Sequence, residues 1–215
     1  RDSAGLDTEA KARRALDALR ERMRHPDPLT ANRRTLEALS LGLDVVLEDG
    51  RDAPRVHFVE LRADRRHHNT FHVTTQFEFK QAETPRYADL VCFVNGIPVV
   101  LIENKCHQTS GHDWREGVNQ LHRYQRETPL LLAANVFAVA ADEEELRYGA
   151  VAPLADTQAE IDLQRDSWAK WESLYPEVTD YWNKPEAERP YDDPLEAAVR
   201  GLLRPSTVVD MIGYF

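Results

Sequence analysis

"YADLVCFVNGIPVVLIENK", residues Tyr87 to Lys105, reads as two β-strands joined at Asn95-Gly96. An Asn-Gly pair between apolar runs is a strong two-residue hairpin signal. The second strand is apolar from Ile97 to Ile102 and then ends in Glu103-Asn104-Lys105. Charge at the end of a buried strand is costly unless it is paired or holds a metal. Strand side chains alternate, so Glu103 and Lys105 project from one face. Asp89 lies on the partner strand, and its face depends on the register. A strict two-residue turn pairs Val94 with Ile97, and hence Asp89 with Ile102, on the face away from Glu103. A three-residue loop or a bulge moves the register by one and pairs Asp89 with Glu103. Pro98 has no N–H and already disturbs the start of the second strand. If Asp89, Glu103 and Lys105 act together, the hairpin is irregular.

Their chemistry is that of phosphodiester hydrolysis. Two carboxylates clamp a hard cation such as Mg²⁺. A neighbouring lysine orients or activates water and stabilises charge developing on a phosphate. An Asp followed by Glu-x-Lys is weak as a pattern by itself. The alternative is a surface Glu-x-Lys with an unrelated Asp.

Outward from the hairpin, the chain alternates helix and strand signals. Residues 7–24 carry Leu6, Ala10, Ala15, Leu16, Leu19 and Met23 at roughly helical spacing. A second helix follows the Pro26–Pro28 turn, with Thr30 as cap and Leu36, Leu39 and Leu41 toward the core. "VHFVEL" and "FHVTTQFEFK" read as strands. A helix is expected over Trp114–Glu127, capped by Asp113 with Glu116 three residues on and ended by Pro129. "LLLAANVFAVA" reads as a buried strand, and residues 157–202 as helical around Trp168 and Trp171. This order defines an α/β or α+β domain with a mixed sheet.

The charge pattern limits where a polyanion can bind. The net charge is −10. Residues 1–80 carry 15 Lys and Arg against 14 Asp and Glu, residues 81–141 carry 5 against 6, and residues 142–215 carry 7 against 17. Acidity is thus confined to the last third, and a nucleic-acid partner is open to the first two thirds. No apolar run reaches the ~18 residues of a membrane helix, and the polar N-terminus is no signal peptide. Cys92 and Cys106 read as reduced thiols of a cytoplasmic protein. With His107 and His112 they match no zinc spacing.

The helix after the hairpin adds specificity. In "QLHRY", Gln120 and Tyr124 sit four apart, on one helix face. Either they reach a phosphate or base, or Tyr124 is core beside Val118 and Leu121 while Gln120 is solvated. Asp89, "IENK" and Gln120-x-x-x-Tyr124 together resemble the PD-(D/E)-x-K nucleases of the RecB-like branch. More narrowly, "NTFHVTTQFEF", "FVNGIPVVLIENK" and "NVFAVAADEEELRYG" are similar to the N-terminal domain of type I restriction endonuclease R subunits (HsdR). The resemblance covers roughly residues 35–215. The usual Pro-Asp is Ala88-Asp89 here, which keeps the carboxylate.

The resemblance implies a restriction-endonuclease-like mixed sheet flanked by helices and a Mg²⁺-dependent endonuclease acting on double-stranded DNA. It implies Asp89, Glu103 and the Asn104 carbonyl as metal ligands, Lys105 for the attacking water, and Gln120 and Tyr124 to position DNA or the lysine. It implies residues 1–205 as the nuclease domain, and residues 206–215, in "LLRPSTVVDMIGYF", as the start of a connection to a motor. No G-x-x-x-x-G-K-[ST] phosphate loop is present. ATP thus belongs to a motor outside this chain, and methylase and specificity subunits are partners of the larger prokaryotic protein. A stand-alone RecB-like repair nuclease and a catalytically silent docking module are the alternatives. Asn69 and Gln76 fit the family pattern with a structural or a functional role. Arg65–Asn69 ("RRHHN") is either a phosphate contact or a solvated loop. Glu9 and Glu37 are the N-terminal acids available as a further ligand. Trp168 and Trp171 read as core or docking residues rather than base-stacking ones.

Overall fold

The hairpin turn is tight. Asn95 and Gly96 both adopt positive φ, 53° and 80°, as a two-residue turn that follows the strand twist requires. Thr70 and Asn95 reinforce it: the Asn95 N–H donates to the Thr70 carbonyl, and the Thr70 N–H donates to Asn95 Oδ1, each at 2.8 Å. The irregularity comes next. Val94 pairs with Ile97 and Phe93 with Pro98, but Cys92 pairs with Val100. Val99 is therefore the extra residue of a bulge, placed beside the proline that cannot donate to the ladder. Beyond it Leu90 pairs with Ile102, and Asp89 lies across from Glu103.

The computed structural model describes residues 9–45, 55–81, 85–106, 113–171 and 193–215. Five strands form one sheet in the order β1 (Phe71–Phe79), β2 (Arg86–Val94), β3 (Ile97–Asn104), β4 (Phe137–Ala141), β5 (Leu146–Gly149). All neighbours are antiparallel except β3 and β4. A parallel pair needs a crossover. It is made by α3 (Trp114–Glu127) and the short α4 (Pro129–Leu132). The remaining helices are α1 (Glu9–Met23), α2 (Pro28–Leu41), α5 (Gln158–Asp166), α6 (Pro194–Leu202) and α7 (Pro205–Gly213). The sheet is the expected mixed one, flanked by helices.

Alternation along β3 and β4 divides the core in two. Val100, Ile102, Phe137, Val139 and Ala141 join residues of α1, α2, α6 and α7, among them Leu19, Leu36, Leu39, Leu202 and Ile212. Leu101, Ala138 and Ala140 face Trp114, Val118, Leu121 and Tyr124 of α3. Both faces of β3 and β4 are covered, which is why their sequences read as continuous apolar runs. Buried Asn32 on α2 donates to the carbonyls of Leu132 and Asn135, tying α2 to the loop entering β4.

Several local expectations change. Asp27, not Thr30, caps α2: its carboxylate accepts the Thr30 N–H at 2.9 Å. Leu41 is 51% exposed and Leu16 is also exposed, because each helix has a narrower buried stripe than its leucines suggest. "VHFVEL" is not a strand. Val56 makes an isolated bridge to Leu43, and the segment is otherwise held by side chains. "LLLAANVFAVA" begins as α4 and becomes strand only at Phe137. Pro129 starts a helix there as well as ending one, a position prolines favour. β5 adds a short edge strand within "EEELRYG". Of residues 157–202, α5 and α6 are helical, and residues 172–192 lie outside the described set, as do His107 and His112.

At the end of β5, Gly149 lies under the Trp168 ring, where an added Cβ would stand 2.6 Å from Cε2. Gly149→Ala is expected to destabilise the domain by about 1–3 kcal/mol through overpacking. Urea denaturation measures this; an unchanged midpoint would count against a close-packed Trp168.

Candidate active site

The bulge at Val99 turns Asp89 and Glu103 toward each other, at the end of central strand β3 and under α3. The Asp89 N–H approaches Glu103 Oε1 at 3.4 Å, and Asp89 Oδ2 accepts the Asn104 N–H at 2.9 Å. Glu103 has no solvent exposure. Its other oxygen, Oε2, faces Lys105 Nζ at 3.3 Å. Lys105 also donates to Gln120 Oε1 at 2.5 Å, and Gln120 Nε2 reaches the Tyr124 hydroxyl at 2.6 Å. The chain of contacts ends where that hydroxyl donates to the Tyr87 carbonyl at 2.5 Å. The side chains of Glu103, Lys105, Gln120 and Tyr124 thus form one connected polar group, which the Asp89 backbone N–H joins.

Gly117 permits the close packing. A Cβ there would lie 3.1 Å from Ala140 Cβ and 3.4 Å from Glu103 Cβ. With no side chain at that turn, α3 approaches near enough for Gln120 to reach Lys105. Asp142, just after β4, accepts the Trp114 N–H at 3.0 Å and holds the start of α3. Neither residue was singled out from the sequence. Both act through tertiary contacts that no local pattern marks.

Burial, and secondarily the Asp89 charge, push the Glu103 carboxyl up to about 7. Lys105 opposes this shift without cancelling it. Two carboxyl groups in a poorly solvated pocket with one ammonium form a site short of positive charge. The donors are hard oxygens, suited to Mg²⁺ rather than to a soft metal. Among the described residues no three His, Cys, Asp or Glu side chains come together. A third oxygen would therefore come from backbone such as Asn104, or from water. Glu9 pairs with Arg13 on the surface of α1, and Glu37 lines a separate cleft with Arg22 and Arg55.

Tyr124 combines the two roles between which its spacing leaves a choice. It is 3% exposed and packs with Leu121 and Trp114. Only its hydroxyl belongs to the polar group. Its position is not simply core or site, because the ring fills one and the oxygen reaches the other. Gln120, half-buried, faces Lys105, while Val118 and Leu121 are buried as expected.

Other candidates resolve structurally. Asn69 is buried and clamps the hairpin to the preceding segment: it exchanges hydrogen bonds with the Glu60 backbone and accepts from Asn95 Nδ2. Arg66 pairs with Asp210 on α7. Trp168 is buried in the α3-side core, and Trp171 stacks edge-on against Tyr148. Cys92 lies in β2, its thiol raised to about 11 by burial. Within residues 206–215, the expected start of a connection, the chain is helical to Gly213 as part of α7, whose Val208, Val209 and Ile212 are buried. No helix among the described residues is long and apolar enough to cross a membrane.

Residues 3–154 match the family described as Type I restriction enzyme R protein N terminus. The chain belongs to that family. It is 31% identical over 148 residues, 68% of its length, to the type I restriction enzyme HindI endonuclease subunit of Haemophilus influenzae. Two provisionally named type I restriction enzyme endonuclease subunits of Methanocaldococcus jannaschii, MjaVIIIP and MjaVIIP, are 29% and 38% identical over 52% and 36% of the chain. The matched segments cover only 12%, 11% and 7% of these three relatives. The chain corresponds to a small part of proteins of that kind.

Two measurements test the site's energetics. Folding raises the Glu103 pKa above its unfolded value near 4.5, so the native state holds the extra proton between pH 4.5 and about 7. Stability from this group is therefore present at low pH and lost as pH rises to about 7. In metal-free protein, Glu103→Gln is expected to raise stability at pH 8 by on the order of 2–3 kcal/mol and to show little gain at pH 5. Thermal melts at both pH values check it, and equal gains at both would contradict the assignment. For Tyr124, truncation to Ala should cost about 3–5 kcal/mol as a buried aromatic. Tyr124→Phe should cost only about 1 kcal/mol, the worth of its hydrogen bonds. Denaturation of the pair separates ring from hydroxyl, and a Phe variant as unstable as the Ala variant would refute the division.

Proposed function

We propose that this chain is the DNA-cleaving module of a type I restriction enzyme, hydrolysing phosphodiester bonds of double-stranded DNA with Mg²⁺. The observation that carries the reading is the fully buried Glu103 carboxyl facing Asp89, with Lys105 bound between Glu103 and Gln120. Asp89, Glu103 and the Asn104 carbonyl would hold the ion, which when bound polarises a phosphate oxygen and makes water acidic. Lys105 stands where it can orient the attacking water and offset charge on the phosphorane-like transition state. Gln120 restrains the lysine, and the Tyr124 hydroxyl restrains Gln120. As half-buried and buried groups, both act on DNA through Lys105 more readily than by direct contact.

The family membership supports the restriction role, and the relatives' names assign endonuclease subunits. In the larger protein, ATP-driven translocation would belong to a separate motor, and site choice to methylase and specificity subunits. Such a complex would work in the prokaryotic cytoplasm. Asp89→Ala, Glu103→Ala and Lys105→Ala, each made in a subunit that carries the motor, are expected to reduce plasmid cleavage by orders of magnitude and leave ATP hydrolysis intact. Cleavage and ATPase assays on the same preparations test this. Near wild-type cleavage by Glu103→Ala would sink the proposal. Metal binding without cleavage in the wild type would favour a docking module.

A further inference from the structure

Gln76 sits in the middle of β1 with φ at +49°, a left-handed backbone that non-glycine residues rarely adopt. The ladder on either side is in register: Thr75 pairs with Leu90 and Phe77 with Ala88. No residue is inserted, so this is not a bulge, and no turn occurs there. Holding glutamine in this conformation strains the backbone. Something over-determines it. Directly across the ladder is Asp89, and Gln76 Nε2 donates to Asp89 Oδ1 at 3.1 Å.

The two oxygens of Asp89 are thereby both engaged, Oδ1 by Gln76 and Oδ2 by the Asn104 N–H. An ionised carboxylate is an acceptor only, so the amide nitrogen of Gln76 is the atom that faces it. Each oxygen keeps a lone pair, while the plane of the group is set from two sides. Burial does not explain the contact, since Gln76 is exposed on an edge strand. We propose that Gln76 is a positioning residue, which holds the Asp89 carboxylate in the orientation that receives the divalent cation. The inference rests on the proposed nuclease reading and extends the working site to an edge strand outside the Asp, Glu-x-Lys and Gln-x-x-x-Tyr pattern.

The test is a Mn²⁺ titration of the whole chain by calorimetry, beside thermal melts, for wild type, Asp89→Asn, Gln76→Gly and Gln76→Asn. Glycine removes both the amide and the backbone strain. Asparagine tolerates positive φ but withdraws the amide by one methylene. Expected is a Tm for Gln76→Gly at or above wild type, with Mn²⁺ affinity lowered about 10–100-fold in both Gln76 variants, as for loss of a group that orients a metal ligand. A residue important only for folding would move the Tm and leave the affinity alone. Wild-type affinity in both Gln76 variants, with affinity lost in Asp89→Asn, overturns the positioning role and leaves the nuclease reading standing. Absence of Mn²⁺ binding by the wild type, or undiminished binding by Asp89→Asn, overturns the metal reading and this inference with it.

Discussion

Everything at this site depends on a carboxyl group kept out of water. Glu103 closes an apolar strand beneath α3, and Lys105 and the Asp89 backbone N–H stabilise its ionised form. Such a group is a liability in a core and is tolerated when surrounding structure compels it. Here Gly117 brings the helix down, and Asp142 fixes where the helix starts. The fold thus spends stability on concentrating negative charge at one point. The cation proposed above would offset that cost.

A single inserted residue links the hairpin to the chemistry. Without the bulge at Val99, the Asn95-Gly96 turn would place Asp89 on the α1–α2 side of the sheet, away from Glu103. The turn remains tight because Asn95 also anchors the preceding segment through Asn69 and the Phe58 carbonyl. The slack has to be taken up inside the ladder, next to Pro98, where a backbone donor is already missing. Geometry at the turn end therefore governs the pairing of two carboxylates several residues away. The strained backbone of Gln76 lies at that same level of the sheet, on the opposite side of Asp89.

Part of the acidic last third lies across the sheet from the polar group. Its described helices α6 and α7 pack on the face formed by Val100 and Ile102, and Arg66 pairs with Asp210. The near-neutral part of the chain supplies β1, β2, β3 and α3, which with Lys105 just after β3 hold the polar group and Gln76. The polyanionic substrate proposed above would meet, at that end of the sheet, the less acidic part of the protein.

Much of this was legible in the amino-acid sequence. The Asn-Gly turn, the apolar run ending in Glu-Asn-Lys and the four-residue spacing of Gln120 and Tyr124 are local patterns, and each reports a backbone geometry directly. They determined the hairpin, the helix that follows it and the shared face of Glu103 and Lys105. Other points were decided only by tertiary structure. Whether the register slips by a loop or by a bulge depends on what Asn95 binds across the fold. Whether "VHFVEL" becomes a strand depends on partners, and its backbone meets Asn69 and Leu43 instead of a ladder. Tyr124 was ambiguous because a side chain long enough to place its ring in the core and its oxygen at the site satisfies both patterns at once. Gly117, Asp142 and the contact of Gln76 with Asp89 are meetings between segments distant in sequence, and spacing along a chain carries no record of how closely two such segments pack.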